Sequence, residues 1–555
     1  MNRVARAGGF SVPETTRSGM LKVVAAASLG TVFEWYDFYL YGSLAAVIAK
    51  KFFSGADPSA AFLFALLAFA AGFLVRPFGA LVFGRLGDLV GRKHTFLVTI
   101  LIMGGSTLCV GLLPGYATIG IAAPIILVVL RMLQGLALGG EYGGAATYIA
   151  EHSPRSRRGR NTSWLQTTGS VGLLLSLVVI LTVRALTGDK FDDWGWRIPF
   201  LFSLILLAIS TYIRLSMKES PAFSKAKQEG NLSKAPVKEA FGRWANLKIV
   251  LIALFGICVG TPVVVYTAIF YPIFFLTETL KVDPQTVNGV MLSALLVSPL
   301  FFWSFGTLSD YIGRKPVILC GYILAATTFF PIFKGITHFA NPALAHAQRV
   351  SPITVHTDTT RCSFQFNPTG TRTFTTPCDI ARRTLSISSA SYATEALPVG
   401  SPTWISIGNE RFEVYDATTF SGDELKRVDG EFKHSIRAGL DAAGYPHTAD
   451  PKSFNWLAVF GLLLLLMVYQ GMVYGPGAAV LVEMFPTRIR YTGLSVPYHV
   501  ANGWIGGLLP TCAFALVAQT GNIYFGLWYP VCWIVVAAVA LILFYRESRL
   551  NDINV

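Results

Sequence analysis

Gly84-Arg-Leu-Gly-Asp88-Leu-Val-Gly-Arg92-Lys93 recurs as Gly306-Thr-Leu-Ser-Asp310-Tyr-Ile-Gly-Arg314-Lys315, an offset of 222 residues (84 to 306). A second pair, Glu151-x-x-Pro154-x-x-x-Arg158 and Glu483-x-x-Pro486-x-x-x-Arg490, is offset by 332 (151 to 483). Each copy stands at the end of a long apolar run, so the chain reads as a duplicated bundle of membrane helices. The offsets differ by 110 (332 against 222), which puts a surplus of that size between the two motifs of the second half.

Composition agrees. Of the 555 residues 53% are hydrophobic and 14% charged, whereas soluble domains carry about a quarter charged residues. Stretches long enough to cross a bilayer as helices, about 20 residues each, lie at 23–49, 60–83, 95–113, 122–150, 164–186, 197–216, 248–277, 287–305, 316–336, 453–482, 494–518 and 523–545. The expected fold is therefore an all-α polytopic membrane protein, twelve helices in two six-helix bundles. Its parts are a cytoplasmic tail (1–22), a first bundle (23–216), an inter-bundle loop (217–247), helices 7–9 (248–337), an insertion (338–452), helices 10–12 (453–545) and a second tail (546–555).

The net charge of +14 marks topology and not a nucleic-acid partner, because the basic residues fall in alternate loops. Arg3, Arg6 and Arg17 precede helix 1; Arg85, Arg92 and Lys93 follow helix 2; Arg155, Arg157, Arg158 and Arg160 follow helix 4; Lys218, Lys225, Lys227, Lys234, Lys238 and Arg243 join helices 6 and 7. Those loops are expected inside a bacterial inner membrane, with both termini cytoplasmic. No small-residue cleavage site follows the first residues, so no removable leader is expected.

The surplus falls between helices 9 and 10, on the opposite side. It mixes charges, lacks a membrane-length run, alternates at 351–357, 383–392 and 404–414 as strands do, and is amphipathic over 422–443. A small α+β extracytoplasmic domain follows. Cys362 and Cys378, inside it, are candidates for a disulfide in an oxidising compartment. With no CxxC or Cys/His cluster, no metal and no cofactor are expected.

The duplicated Gly-x-Leu-x-Asp-x-x-Gly-Arg-Lys resembles the helix 2–3 and helix 8–9 signature of the major facilitator superfamily. Gly30-Thr-Val-Phe-Glu34-Trp35-Tyr36-Asp37-Phe38 with Tyr41-Gly42 is similar to the helix 1 signature of its metabolite:proton symporters. So are Gly139-Gly-Glu141-Tyr142-Gly-Gly and Phe485-Pro486-Thr-Arg-Ile-Arg490-Tyr-Thr-Gly493. The chain departs at Thr31, often Asn in that family, and at the insertion. The resemblance implies proton-coupled alternating access by a monomer, with a small molecule and protons as partners and no enzymatic activity.

Charges are costly at the bilayer centre, at least about 2.5–3.5 kcal/mol on insertion scales, so intramembrane ionisable residues are the candidate site. Glu34, Asp37 and Tyr41 share one face of helix 1. Glu34, Asp37 and Glu141 are the expected proton groups. Arg131, Gln134 and Glu141 share a stripe of helix 4, and Arg76 lies on helix 2. Either arginine can pair with Asp37 or hold an anionic substrate; Arg131 is placed on the cavity and Arg76 given the more structural role, and Gln134 and Tyr41 are expected with both among the substrate-binding residues. Under the offsets the first-half charges map onto Gly256, Val259, Ser298, Leu463 and Val473. The second half then contributes neutral groups to substrate binding, among them Tyr266, Tyr469, Tyr498, His499 and Asn502. Asp88, Arg92, Glu151 and Arg158, with Asp310, Arg314, Glu483 and Arg490, are expected to form ion pairs that latch the halves.

The resulting expectation is a symporter importing a small organic acid, di- or tricarboxylate-like. The short stretch after helix 12 weighs against osmolyte carriers of the family, which bear a long coiled coil. Import of a zwitterionic osmolyte and export by antiport are the alternatives, and a non-transporting sensor the rival of another class.

Overall fold

The structure is a computed structural model that describes residues 17–54, 58–217, 219–365, 374–388, 390–549, 551 and 553. The basic residues Arg3 and Arg6 of the N-terminal tail, and Lys218, lie outside the described residues. Helix 1 is Arg17–Ser43 and helix 2 is Pro58–Leu89. Ten further segments have the length and apolarity of membrane spans: Arg92–Leu112, Ala122–His152, Arg155–Phe191, Arg197–Ser216, Trp244–Thr279, Pro284–Ile312, Arg314–Ala340, Trp456–Met484, Arg490–Thr520 and Phe525–Phe544. These are helices 3 to 12. They form two six-helix bundles with a small mixed domain between helices 9 and 10.

Helix boundaries follow local chemistry. Asp283 caps helix 8, its side chain accepting from Thr286 N, with Pro284 at the first position where a missing N–H is harmless. Gly91 and Gly313 precede helices 3 and 9 with φ of 128° and 104°, values that disfavour a Cβ and explain the fixed glycine before each Arg-Lys pair. Helices 7 and 11 are not regular throughout. They contain π turns at Ala253–Cys258, Phe275–Thr279 and Ala501–Gly506, the kind of bulge that re-aims side chains near functional sites.

Helices 2 and 4 cross on glycine. A Cβ on Gly135 would run into the backbone of Gly72, and one on Gly139 into Arg76 O and Ala80 N. Where lipid removes the hydrophobic drive between helices, such close backbone approach supplies the packing energy.

The insertion holds a four-stranded sheet in the order β2-β1-β3-β4. Strands β1 (Ile353–Thr357) and β2 (Tyr392–Ala396) are parallel, while β3 (Trp404–Ile407) is antiparallel to β1 and to β4 (Glu410–Glu413). Ile353 pairs with Tyr392 and Ile407, and Val355 with Ile405, so one face of the sheet is apolar and buried. The helices Pro377–Ile387 and Gly422–Ala442 complete the domain, and Cys362 is disulfide-bonded to Cys378. The expected strand at 383–392 is corrected: most of it is helix. Thr376 accepts from Asp379 N and Pro377 takes the first position. That start signal, with Ile380, Ala381 and Leu385 buried on one face, outweighs the β-branched Thr384 and Ile387. The expected run at 404–414 is two strands, turned at Gly408 with φ 57°.

The domain shares its core with the second bundle, since Ile353, Ile380 and Tyr392 belong to one apolar cluster with Leu280 and Ile523. Tyr392 N donates to Gly521 O at 3.0 Å and Ala449 N to Lys281 O at 3.0 Å. It is seated on the ends of helices 7 and 11, at the opposite end of the bundles from the duplicated motifs.

Candidate functional site

Four polar layers line the interior. The first lies wholly within the first bundle. Asp37 Oδ1 accepts from Thr107 Oγ1 at 2.8 Å and Gln134 Nε2 at 3.3 Å, and Arg131 Nη1 is 3.4 Å from Asp37 Oδ2. Arg131 also donates to Gln134 Oε1 at 2.7 Å and lays its guanidinium over the Tyr41 ring at 3.5 Å. All five residues are buried. This corrects the expected placement of Arg131, Gln134 and Tyr41 on the substrate cavity. Helical spacing fixes their common face but not the neighbour it meets, and an arginine at this depth is held by the nearest carboxylate.

The second layer is also internal. Glu141 pairs with Arg214 of helix 6 and accepts from Thr99 Oγ1 at 3.2 Å, while Arg214 Nη1 donates to Phe96 O at 2.9 Å. Glu141 is therefore satisfied inside the bundle and does not line the cavity. Arg214 was missed because it reads as one more basic residue near a loop. The available signal was its position inside the apolar span 197–216, where a charge calls for a partner.

The third layer is the cavity between the bundles, about 20 Å³, room for one water in this closed arrangement. Thr31, Glu34, Trp35, Arg76, Tyr142 and Gln166 line it from the first bundle, and Tyr266, Tyr474, Tyr498, His499 and Asn502 from the second. Of the expected substrate residues, Arg76, Tyr266, Tyr498, His499 and Asn502 come together here. Tyr469 does not: its hydroxyl accepts from Thr328 at 2.9 Å, and it is not among the lining residues. Glu34 Oε2 and both ring nitrogens of His499 are buried with no hydrogen-bond partner. Buried polar atoms left so are costly, which marks the cavity as built for a polar guest.

The cavity wall also keeps the repeat. Gln166 Nε2 donates to Tyr142 OH at 3.1 Å, and the residues 332 positions on, Tyr498 and Tyr474, share a hydrogen bond of 2.6 Å. The Tyr142 and Tyr498 rings, one from each bundle, stack with centroids 3.7 Å apart and planes at 4°.

The fourth layer joins the bundles at the basic-loop end. Asp88 accepts from the backbone N–H of Tyr491 (3.2 Å) and Thr492 (2.9 Å) at the start of helix 11. Asp310 accepts from Gly159 and Arg160 N–H, both at 2.8 Å, at the start of helix 5. Each motif aspartate thus caps a helix of the other bundle. Glu151 meets Arg490 at 2.5 Å and Arg92 at 3.6 Å; Glu483 meets Arg314 at 3.1 Å and Arg158 at 3.3 Å. A third duplicated element escaped the sequence reading. Glu219 accepts from the N–H of Arg92 and Lys93, and Glu547 from that of Lys315, inside Lys218-Glu219-Ser220 and Arg546-Glu547-Ser548. Three residues are too few to stand out as a repeat.

A sugar (and other) transporter family model matches residues 23–235. The chain is 36% identical over 334 residues to the inner membrane metabolite transport protein YhjE of Escherichia coli, covering 59% of this chain and 75% of that one. The proton:xylose symporter XylE, described as a major facilitator superfamily protein and bound to 6-bromo-6-deoxy-D-glucose, superposes with a TM-score of 0.62 at 16% identity, covering 97% of this chain and 98% of that one. The chain belongs to the major facilitator superfamily. Among other relatives of this superfamily member, the proline/betaine transporter of Salmonella typhimurium is 38% identical over 327 residues, covering 56% of this chain and 64% of that one. The chain thus spans just under two thirds of the length of that relative. The alpha-ketoglutarate permease of Escherichia coli is 34% identical over 332 residues, with coverages of 60% and 75%. Against XylE from Escherichia coli in an inward-open conformation the TM-score falls to 0.52, covering 95% of this chain and 97% of that one at 15% identity. The cross-bundle contacts of Asp88, Asp310, Glu151 and Glu483 close the basic-loop end of this fold.

Proposed function

We propose that this protein imports a small zwitterion bearing a carboxylate, together with a proton, across a bacterial inner membrane by alternating access. The observation that carries the reading is the charge of the cavity: Arg76 is the only Lys or Arg, and Glu34 the only carboxylate, among its described lining residues. A di- or tricarboxylate calls for more than one fixed cation, and Arg131 is engaged by Asp37. One fork of donors for a carboxylate, one carboxylate, and a wall of Trp35, Tyr142, Tyr266, Tyr474 and Tyr498 suit a cationic head at one end and a carboxylate at the other. The likeness to proline/betaine transporters supports this choice over the alpha-ketoglutarate-like one.

Protons are assigned to Glu34, which faces the guest, and to Asp37, which balances Arg131. The basic-loop end is cytoplasmic by the positive-inside rule, so both termini are inside and the insertion is periplasmic. The carrier works as a monomer, needs no cofactor, and catalyses no covalent chemistry.

The test is uptake into proteoliposomes under an inward proton gradient. Radiolabelled glycine betaine should accumulate above equilibrium, and collapse of the gradient should release it. Accumulation of alpha-ketoglutarate without glycine betaine would reject the zwitterion; gradient-driven loss of preloaded solute from the vesicles would point to antiport.

A further inference from the structure

The two repeat offsets relate a pair of contacts that the fold uses differently. Ser170 maps onto Asn502 by the offset of 332, and Arg76 maps onto Ser298 by the offset of 222. Each of the four lies twelve residues from its own latch residue, Arg158, Arg490, Asp88 or Asp310, about 18 Å at 1.5 Å per residue. All four therefore sit at one depth, near the middle of the bundle.

On one side of the pseudo-two-fold axis the two residues close on each other. Ser170 Oγ and Ser298 Oγ are 3.1 Å apart and buried. Ser298 already donates to Leu295 O at 2.8 Å, so Ser170 is the donor across the interface. Toward the latch, helices 5 and 8 are tighter still, with a Cβ on Gly306 meeting Ser163 Cβ at 2.5 Å and Gly159 O at 2.9 Å. On the other side the equivalent residues, Arg76 and Asn502, are turned into the cavity. Contact between helices 2 and 11 is made one residue along, by Gly503, whose Cβ position is 2.7 Å from Phe73 O. Asn502, a lining residue of the cavity, keeps one side-chain N–H on Tyr498 O at 2.9 Å, which fixes its amide.

We infer that Ser170–Ser298 is a pivot contact that persists while the bundles turn, and that of these four mid-depth residues only Arg76 and Asn502, on the opposite side, hold substrate. The second half of this statement rests on the carrier reading above; the first does not. Physically, a rotation that opens one end and closes the other leaves separations nearly unchanged at mid-depth, so a short neutral hydrogen bond survives there. A charged latch at the end of the helices must break.

The experiment uses the full chain with Cys109, Cys258, Cys320, Cys512 and Cys532 replaced by Ala, carrying Ser170→Cys and Ser298→Cys. Oxidation should cross-link the pair. Hydrogen exchange at the amides of Gly159, Arg160, Tyr491 and Thr492, which the latch aspartates cap, should then be equal within about twofold in oxidised and reduced protein. Strong protection on oxidation, or thiols that never cross-link in folded protein, would overturn the pivot. In a parallel arm Asn502→Ala should raise the KM for glycine betaine about tenfold, a loss of about 1.4 kcal/mol, with Ser170→Ala shifting it less than twofold. Equal shifts would overturn the one-sided site. Absence of glycine betaine uptake by the unmodified protein would instead reject the carrier's substrate, with exchange still judging the pivot.

Discussion

Asp310 reaches across the molecular interface to cap Gly159, accepting its N–H at 2.8 Å, and so ties the second bundle to the first turn of helix 5. Asp88 does the same for helix 11. A side-chain cap is worth about 1 kcal/mol, and a carboxylate at a helix N-terminus gains a further 0.3–1 kcal/mol or so from the dipole.

Asp310→Ala should therefore move the equilibrium toward the latch-open state by about 1–2 kcal/mol, roughly tenfold in population. Spin labels at the exposed Arg155 and Arg488 positions, one per bundle, would report it as growth of a longer distance. Asp88→Ala should add to it nearly independently. An unchanged distance distribution in the double variant would show that the caps do not set the state.

Asp37 and Arg131 depend on each other inside lipid-depth protein. Removing one partner of a buried pair leaves an uncompensated charge, which costs about 3–5 kcal/mol. Asp37→Asn alone should lower thermal stability in detergent more than the double change Asp37→Asn with Arg131→Gln. Asp37→Asn should also abolish gradient-driven accumulation while sparing exchange of substrate across the membrane. Normal concentrative uptake by that variant would remove Asp37 from the proton path.

The duplicated motifs made the latch legible in the sequence, because a ten-residue pattern repeated at a fixed offset identifies its own partners. The twelve spans were legible for a different reason, since lipid demands long apolar helices. What could not be read was which neighbour each buried charge meets. Arg131 and Arg76 are both single arginines in apolar helices, and only the packing of helices 1, 3 and 4 decides that the first is locked to Asp37 and the second faces the cavity. Arg214 sits in the last turn of an apolar span, where it reads as a helix-end charge, and the helix at Pro377–Ile387 hid behind alternating residues whose cap, Thr376, is the stronger signal.

Gly139 should tolerate no side chain. Its Cβ would lie 2.5 Å from Ala80 N and closer still to Arg76 O, and these are backbone atoms that cannot swing away. Gly139→Val should force helices 2 and 4 apart and displace Arg76 from the cavity, at a cost of several kcal/mol by overpacking. Gly461, with nothing near its Cβ, is the control: Gly461→Ala should be neutral or slightly stabilising, as the higher helix propensity of alanine predicts. Detergent-solubilised melting temperatures of the two variants would decide, and a Gly139→Val protein as stable as its parent would contradict the packing described for this crossing.

The insertion should be acid-labile through two carboxylates outside the membrane. Asp358 accepts from Thr360 Oγ1 at 2.6 Å, Gly400 N at 2.9 Å and Thr360 N at 3.0 Å, and these bonds hold its carboxyl below the usual range. Asp416 is lowered in the same way by Thr418 Oγ1 at 2.6 Å, with help from Thr418 N and Arg361 at 2.8 Å. In both, the folded value is depressed relative to the unfolded one, which is about 3.9 for Asp. The sign follows from linkage: the unfolded chain binds protons first on acidification, so the stabilisation is fully present above about pH 4 and is lost as pH falls through the folded values. At neutral pH the domain should sit on a plateau. Pulse proteolysis with pepsin between about pH 5 and pH 2 should show cleavage within 338–452 rising steeply below about pH 4. Asp358→Asn retains an acceptor but cannot titrate, so its acid limb should be shallower while its neutral-pH stability is lower. An acid profile identical to that of the parent would mean that Asp358 does not set the acid sensitivity of the domain.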